Sequence, residues 1–123
     1  SNLIIKHTRY NYLEPWGVPS GGGWALNNNG ALYYENTTNM TVSDSYFYNI
    51  DGNVIMLYGY NRNNTFIRNE FTSIGCNVMG GWGITNDYDG TNLLQPRFTN
   101  IIENYVHEIG LYQLQSSAWF QAK

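Results

Sequence analysis

The sequence is poor in cysteine and in charged residues. Of its 123 residues, 12% are charged, six are Lys or Arg and one is cysteine. The lone Cys76 cannot form an internal disulfide, so the chain has no disulfide framework. Its formal net charge is −3, and the few basic residues are scattered along the chain. We therefore expect no basic patch and no nucleic-acid partner.

Long apolar runs and helix-forming residues are also scarce. No apolar run reaches the length of a membrane span, so we predict no membrane-spanning segment. Ala, Glu and Lys are few, whereas Asn is common and the chain contains 13 Gly and 11 Tyr. This composition is typical of short strands joined by turns with positive φ, where Asn and Gly are favoured.

The most informative pattern is a 24-residue repeat. The same step relates three pairs of residues: Phe47 and Phe71, Ile50 and Ile74, and Asn53 and Asn77. A period of this length is typical of one supersecondary unit that buries its apolar face by stacking on copies of itself. We therefore predict a single all-β solenoid domain over residues 1–123, with about four to five repeats.

Four repeats align when two insertions are allowed. Their first strands share one apolar pattern over Ile5–Leu13, Val42–Ile50, Phe66–Ile74 and Ile101–Ile109. Strict alternation predicts that the second strands direct four residues inward: Ala31, Ile55, Met79 and Leu114. Two further columns are predicted, a bend with Ser45, Asn69 and Asn104, and a charged ladder with His7, Asp44, Arg68 and Glu103.

These columns resemble the right-handed parallel β-helix, the fold of pectate-lyase-like proteins. Some segments are also similar to those of uncharacterised, large extracellular β-helix proteins of eukaryotic microbes: Ser20–Trp24, Gly59–Asn63, His107–Gly110, Gln115–Ser117 and Gln121–Lys123. The resemblance covers essentially the whole chain and implies an extracellular or cell-surface location. We expect the chain to be part of a longer β-helix, with further rungs or copies of itself at its open ends.

Two insertions interrupt the repeat, at about residues 14–29 and 84–96. Insertions in solenoids become outer loops, which often carry binding residues. In the second loop, Asp87 and Asp89 precede Gly90 and offer two carboxylates to a calcium ion. The rest of an EF-hand loop is missing, and the same residues suit a turn. No other metal or cofactor is predicted.

Aromatic residues form the first candidate site. Tyr34, Tyr58 and Trp82 are predicted to share one outward column of the second strands. Together with Trp24 of the first loop, they are our predicted carbohydrate-binding residues, because a strip of rings can stack on sugar rings. In the alternative, Trp16 and Trp24 fold over the strip and bury it as a second small core.

A second candidate site lies at His107 and Glu108. These residues replace neutral ones at a corner that reads Tyr48-Asn49 and Thr72-Ser73 in two other repeats. Together with Asp87, or with Asp51 in its place, they are predicted catalytic residues, since a histidine and carboxylates can perform the acid–base steps of glycoside cleavage. In the alternative, the two side chains point to opposite faces and His107 bonds a backbone carbonyl.

Three N-x-S/T sequons begin at Asn36, Asn39 and Asn63 and are predicted glycosylation sites. Asn39 and Asn63 share a column with a strand spacing of about 4.8 Å, so two glycans would crowd each other there.

Two functions follow from these patterns. The first is an extracellular module that binds polysaccharide or surface glycans, alone or as part of a polysaccharide lyase or glycoside hydrolase. The second is a non-catalytic structural rod or filament subunit of a cell-surface or extracellular assembly. Open ends, low charge and sequons in turns agree with the second function, and the sequence leaves both open.

Overall fold

The computed structural model describes residues 2–8, 17–19, 25–27, 29–85, 90–113 and 116–122. Within these ranges the chain is all-β, with fourteen strands and no helix, and so with no helix that could span a membrane. The strands are β1 (Ile4–Thr8), β2 (Gly17–Pro19), β3 (Ala25–Asn27), β4 (Leu32–Thr38), β5 (Thr41–Ser43), β6 (Tyr46–Ile50), β7 (Ile55–Arg62), β8 (Thr65–Ile67), β9 (Glu70–Ile74), β10 (Met79–Trp82), β11 (Pro96–Arg97), β12 (Asn100–Ile102), β13 (Tyr105–Ile109) and β14 (Trp119–Ala122).

The described strands form three parallel sheets and one antiparallel pair. Sheet 1 has the strand order β1-β6-β9-β13, and sheet 3 has the order β12-β8-β5. In sheet 2, β4 lines one edge of β7, β10 and β11 share the other edge, and β14 lies beyond β10. Strands β2 and β3 pair antiparallel within the first predicted insertion.

The predicted 24-residue repeat is confirmed in the middle of the chain. One parallel pair from each sheet shows the same step: Phe47–Phe71 in sheet 1, Ile55–Met79 in sheet 2 and Val42–Phe66 in sheet 3. All six side chains are buried and belong to one hydrophobic core. The rings of Phe47 and Phe71 stack with centroids 4.8 Å apart. The core therefore lies between the three sheets.

Buried asparagines join successive repeats at the bends. Oδ1 of Asn69 accepts a hydrogen bond from the backbone N–H of Ser45 at 3.0 Å. Oδ1 of Asn104 accepts one from the backbone N–H of Asn69 at 2.9 Å, and Nδ2 of Asn69 donates to the carbonyl of Val42 at 3.0 Å. The predicted bend column is therefore confirmed. A second ladder of this kind links Asn53 and Asn77.

The predicted register of β4 is wrong by one residue. Tyr34 pairs with Leu57, whereas the constant step places it beside Tyr58. The cause is an irregularity between Glu35 and Thr37, where β7 has one residue more than β4. Because a one-residue shift moves a side chain to the other face of a sheet, the prediction assigned Tyr34 to the wrong face.

Two predicted inward positions are corrected for similar reasons. Leu32 occupies the position predicted for Ala31, because the same irregularity shortens the step. Met79 pairs with Trp119 of β14, whereas the sequence predicts Leu114, which lies outside the described residues. Where an insertion changes the spacing, a constant period no longer identifies the partner.

The predicted position of β1 is also wrong. Ile5 pairs with Phe47, whereas the prediction aligns it with Val42. His7 therefore lies beside Asn49, whose Nδ2 is 3.0 Å from Nδ1 of His7. The predicted charged ladder thus loses its first member. Residues 14–29 interrupt the spacing that would have fixed the register.

Left-handed backbone recurs at the strand ends. Twelve described residues other than glycine have φ between 52° and 60°, and none of them is buried. Ten of them fall into three columns: Asn39, Asn63 and Phe98; Asp44, Arg68 and Glu103; and His7, Asn49, Ser73 and Glu108. Such a residue interrupts the alternation of a strand and directs its side chain out of the stack.

Candidate functional site

The outer face of sheet 1 carries two columns of large or polar side chains. They lie on either side of the buried positions of β6, β9 and β13, because successive residues of a strand face opposite sides. One column contains Tyr46, Glu70 and Tyr105, and the other contains Tyr48, Thr72 and His107. Strand pairing thus brings together residues that are far apart in sequence.

Rings stand on both outer strands of this set. On β6, the rings of Tyr46 and Tyr48 are nearly parallel, with an interplanar angle of 5° and centroids 6.0 Å apart. On β13, the rings of Tyr105 and His107 are 4.7 Å apart. Glu70 lies on β9 between the two strands. Because β6 and β13 are two strand spacings apart, roughly 9.6 Å, the rings stand on either side of Glu70, and we call the space between them a groove.

A shallow, open cavity of about 460 Å³ lies at the end of this groove. We call the groove and this cavity the sheet 1 groove. Side chains of sheet 1 and of the neighbouring bend line the cavity: Asp44, Ser45, Tyr46, Arg68, Asn69, Glu70, Glu103 and Tyr105. The lining combines two phenol rings with carboxylates, a guanidinium and amide groups. Such a surface can stack on a ring and hydrogen-bond its substituents.

The charged ladder forms one wall of the cavity. Arg68 donates two hydrogen bonds to Asp44, from Nε to Oδ1 at 2.7 Å and from Nη2 to Oδ2 at 2.9 Å. The hydrogen bond from Arg68 lowers the pKa of Asp44, and the same bond raises the pKa of Arg68, with a smaller contribution from the charge of Glu103. Arg68 therefore lies between two carboxylates, as predicted, and pairs with Asp44.

The groove continues into a polar network around His107. Its Nε2 is 3.3 Å from Oε1 of Glu70, and its Nδ1 is 3.3 Å from the hydroxyl of Thr72. The same hydroxyl is 3.4 Å from Oε2 of Glu108, which also accepts a hydrogen bond from Ser73 at 3.3 Å. The hydroxyl of Thr72 therefore contacts both His107 and Glu108, and His107 also contacts Glu70.

His107 and Glu108 come closer together than strict alternation allows. Glu108 has a φ of 53°, which turns its side chain towards Thr72 instead of the opposite face of β13. A catalytic role for these two residues stays a prediction. The third predicted catalytic residue, Asp87, lies outside the described residues.

The structure does not form the predicted aromatic strip. Tyr58 and Trp82 pair as expected, but Trp82 is only 9% exposed. Tyr34 packs against the core with its ring 6.1 Å from that of Phe66, and burial raises its pKa. Tyr33 takes its place beside Tyr58, with centroids 6.0 Å apart.

Three other predictions concern Trp24, the calcium site and the sequons. Trp24 lies outside the described residues, and so do Asp87 and Asp89 of the calcium hypothesis. Among the residues that the structure describes, no group of three or more His, Cys, Asp or Glu could hold a metal ion. The three sequon asparagines are all exposed and have positive φ: Asn36, Asn39 and Asn63.

Tyr46, Glu70 and Tyr105 are the site residues that sequence reasoning missed. Their signal was present, because each begins the strand whose next residue is a core member of the first-strand column. Alternation predicted the inward residues of these strands, whereas the aromatic column that the sequence predicted lies on the second strands.

Comparison of the chain with protein-family models, curated proteins and solved structures gives no match.

Proposed function

We propose that this chain is a carbohydrate-binding segment of an extracellular right-handed parallel β-helix. Parallel pairing at a recurring step of 24 residues supports the solenoid, since a chain that returns to the same edge must wind around a common core. Right-handed crossovers are the strong preference for parallel strands. The resemblance to pectate-lyase-like proteins agrees with this architecture.

One observation carries the binding function: aromatic rings on β6 and β13 flank Glu70 on the strand between them. The C–H face of a pyranose ring packs on an aromatic face, and its hydroxyls require hydrogen-bond partners at the ring edge. Tyr105 is 63% exposed, so its ring is free to contact a ligand. The groove offers both a ring face and a carboxylate, because Tyr46 and Tyr105 each lie one strand spacing from Glu70.

Titration with oligosaccharides tests this function. Neutral, amino and acidic oligomers are added to the labelled protein, and backbone NMR shifts and calorimetry report binding. Tyr46→Ala and Tyr105→Ala should each weaken binding about fivefold, because a lost ring contact is worth roughly 1 kcal/mol. Tyr112→Ala is the control, since Tyr112 is 62% exposed and does not line the groove.

The sequence-predicted strip is tested in the same experiment by Tyr58→Ala. If this variant loses affinity while Tyr105→Ala does not, the binding surface lies on sheet 2. If no oligomer shifts any resonance, carbohydrate binding is wrong.

Cleavage of the bound glycan is the catalytic form of the same proposal. Glu70, His107 and Glu108 supply two carboxylates and an imidazole beside the groove, which are the groups required for proton transfer. Incubation with polysaccharides, followed by assays for new reducing ends and unsaturated ends, tests it. Glu108→Gln should abolish turnover, and Glu35→Gln on β4 should preserve it. Turnover that survives Glu108→Gln would exclude this assignment.

Exposed sequons support the extracellular part of the proposal. All three sequon asparagines are exposed, and Asn39 and Asn63 follow the paired residues Thr38 and Arg62. We expect secreted protein from eukaryotic cells to carry a glycan on one of these two residues per molecule, because the strands are about 4.8 Å apart. Intact glycopeptide mass spectrometry measures the occupancy of both residues. Glycans on Asn39 and Asn63 of the same molecule would contradict this expectation.

A structural role in an assembly of stacked chains is the second candidate function. The observation that favours it is apolar exposure on β12, where Ile101 is 40% and Ile102 is 41% exposed. Ile101 continues the column of Val42 and Phe66, which are buried. Electron microscopy and light scattering test this role. Monomers at all concentrations would contradict it, and filaments weakened by Ile101→Lys would support it.

A further inference from the structure

The lining of the sheet 1 groove has an uneven balance of charge. Three carboxylates and one guanidinium line the cavity: Asp44, Glu70, Glu103 and Arg68. Arg68 already donates two hydrogen bonds to Asp44. Its charge is therefore largely compensated at one end of the cavity. The three carboxylates outnumber this one guanidinium, so the lining carries a net negative charge, to which Glu70 and Glu103 contribute.

The partners of these two carboxylates leave them available to a ligand. Glu70 contacts the imidazole of His107 at 3.3 Å, and its side chain is 46% exposed. Within the described part of the chain, Glu103 makes no ion pair. A carboxylate accepts hydrogen bonds and donates none when ionised. Sugar hydroxyls and ammonium groups are therefore suitable partners, whereas a uronate carboxylate is not.

We propose that the groove prefers amino sugars with a free, protonated amine, then neutral sugars, and that it rejects uronic acids. This inference rests on the proposed carbohydrate-binding function and adds the substrate class. The rings of Tyr46 and Tyr105 hold the sugar in place, and Glu70 and Glu103 attract its ammonium group. Opposite charges attract and like charges repel across this open cavity, where solvent reduces but does not remove the effect.

Three oligomers of equal length separate the possibilities: glucosamine oligomers, their N-acetylated counterparts and galacturonate oligomers. The first two differ in charge on the same sugar backbone. Calorimetry in mildly acidic, low-salt buffer should give affinities about five- to thirtyfold higher for the free amine than for the acetylated oligomer. Galacturonate should bind more weakly than both. The preference should shrink as salt is added.

Glu70→Gln and Glu103→Gln test the assigned carboxylates. Each substitution preserves size and removes one charge, so the affinity ratio of free to acetylated amine should fall several-fold in each variant. Glu35→Gln is the matched control, because it changes the net charge equally on an exposed residue of β4 that does not line the cavity. Its ratio should equal that of the unmodified protein.

The outcomes distinguish this inference from the function on which it rests. Equal or tighter binding of galacturonate overturns the charge preference and leaves carbohydrate binding intact. The same loss of ratio in Glu35→Gln as in Glu70→Gln also overturns it, because net charge would then be sufficient. Absence of binding to all three oligomers and to neutral hexose oligomers contradicts the proposed function itself.

Discussion

At the scale of single residues, the buried asparagines stand out because each satisfies backbone groups of a neighbouring repeat. Asn69 is only 2% exposed and hydrogen-bonds the backbones of both Ser45 and Val42. No other side chain offers a donor and an acceptor with this size and without charge, except glutamine, which is one methylene longer. At position 69, between two neighbouring repeats, the bend therefore favours asparagine, whereas Ser45 in the same column accepts a hydrogen bond from the backbone N–H of Leu3 through its hydroxyl.

Asn69→Ala should destabilise the fold by about 2–4 kcal/mol, because two buried backbone groups lose their partners. Chemical denaturation followed by tryptophan fluorescence measures the change. Asn100→Ala is the control, since the side chain of Asn100 is exposed and its hydrogen bonds are long, 3.4 and 3.5 Å. Similar losses in the two variants would refute the structural importance of the ladder.

The ion pair of Asp44 predicts a pH dependence. Arg68 lowers the pKa of folded Asp44, so ionised Asp44 stabilises the fold above its unfolded pKa, near 3.9. This stabilisation is lost as the pH falls through the lower, folded pKa. Arg68→Met should shift the folded pKa back towards its ordinary value, as measured by carboxyl NMR titration. Lys6→Met removes an equal charge from β1 and should leave Asp44 nearly unchanged.

At the scale of strands, the sequence predicts pairing wherever the spacing is constant. Phe47 and Phe71 could be paired from the sequence because nothing is inserted between their repeats. Tyr34 could not be placed, because one extra residue in β7 reverses the face of every residue before it. The positions of the aromatic rings in the sheet 1 groove depend in the same way on the register of β6, β9 and β13. Tyr105 was predictable as a neighbour of Glu70 from the column of Phe71 and Val106.

Close contact between elements also limits which residues a turn can accept. A Cβ atom on Gly75 would overlap the backbone carbonyl of Asp51, whose carbon would be 2.7 Å away. Gly75→Ala should therefore cost at least about 2 kcal/mol, since backbone must move. Gly81→Ala is the control, because its Cβ would meet Trp119 at an ordinary 3.4 Å. Thermal unfolding compares them, and equal melting temperatures would contradict this packing.

At the scale of the whole molecule, burial is greatest in the middle repeats and decreases towards β13. Ile74 and Ile109 pair in the same column of sheet 1. Ile74 is completely buried, whereas Ile109 is partly buried and packs against the core from one side. Sequence alone gives these residues equal roles, since both are isoleucine at the same repeat position. Their contributions to the free energy of unfolding differ because Ile74 is covered more completely by neighbouring residues than Ile109 is.

Ile74→Ala should destabilise the fold by about 3–4 kcal/mol, and Ile109→Ala by about 1–2 kcal/mol, because the cavity and lost contacts scale with burial. Chemical denaturation of the two variants measures both values under the same conditions. Equal losses would indicate that Ile109 is covered in solution, for example by another copy of the chain. Concentration-dependent stability of Ile109→Ala would distinguish that case.

The columns of left-handed residues have a consequence for adaptation. Non-glycine residues in this conformation cost of order 1 kcal/mol each, and the chain places even bulky ones there, such as Phe98 and Arg68. Their side chains point outward, so the core does not restrict their identity. The residues of each column can therefore be substituted one at a time. The outer surface of such a fold can change its chemistry while the backbone stays the same.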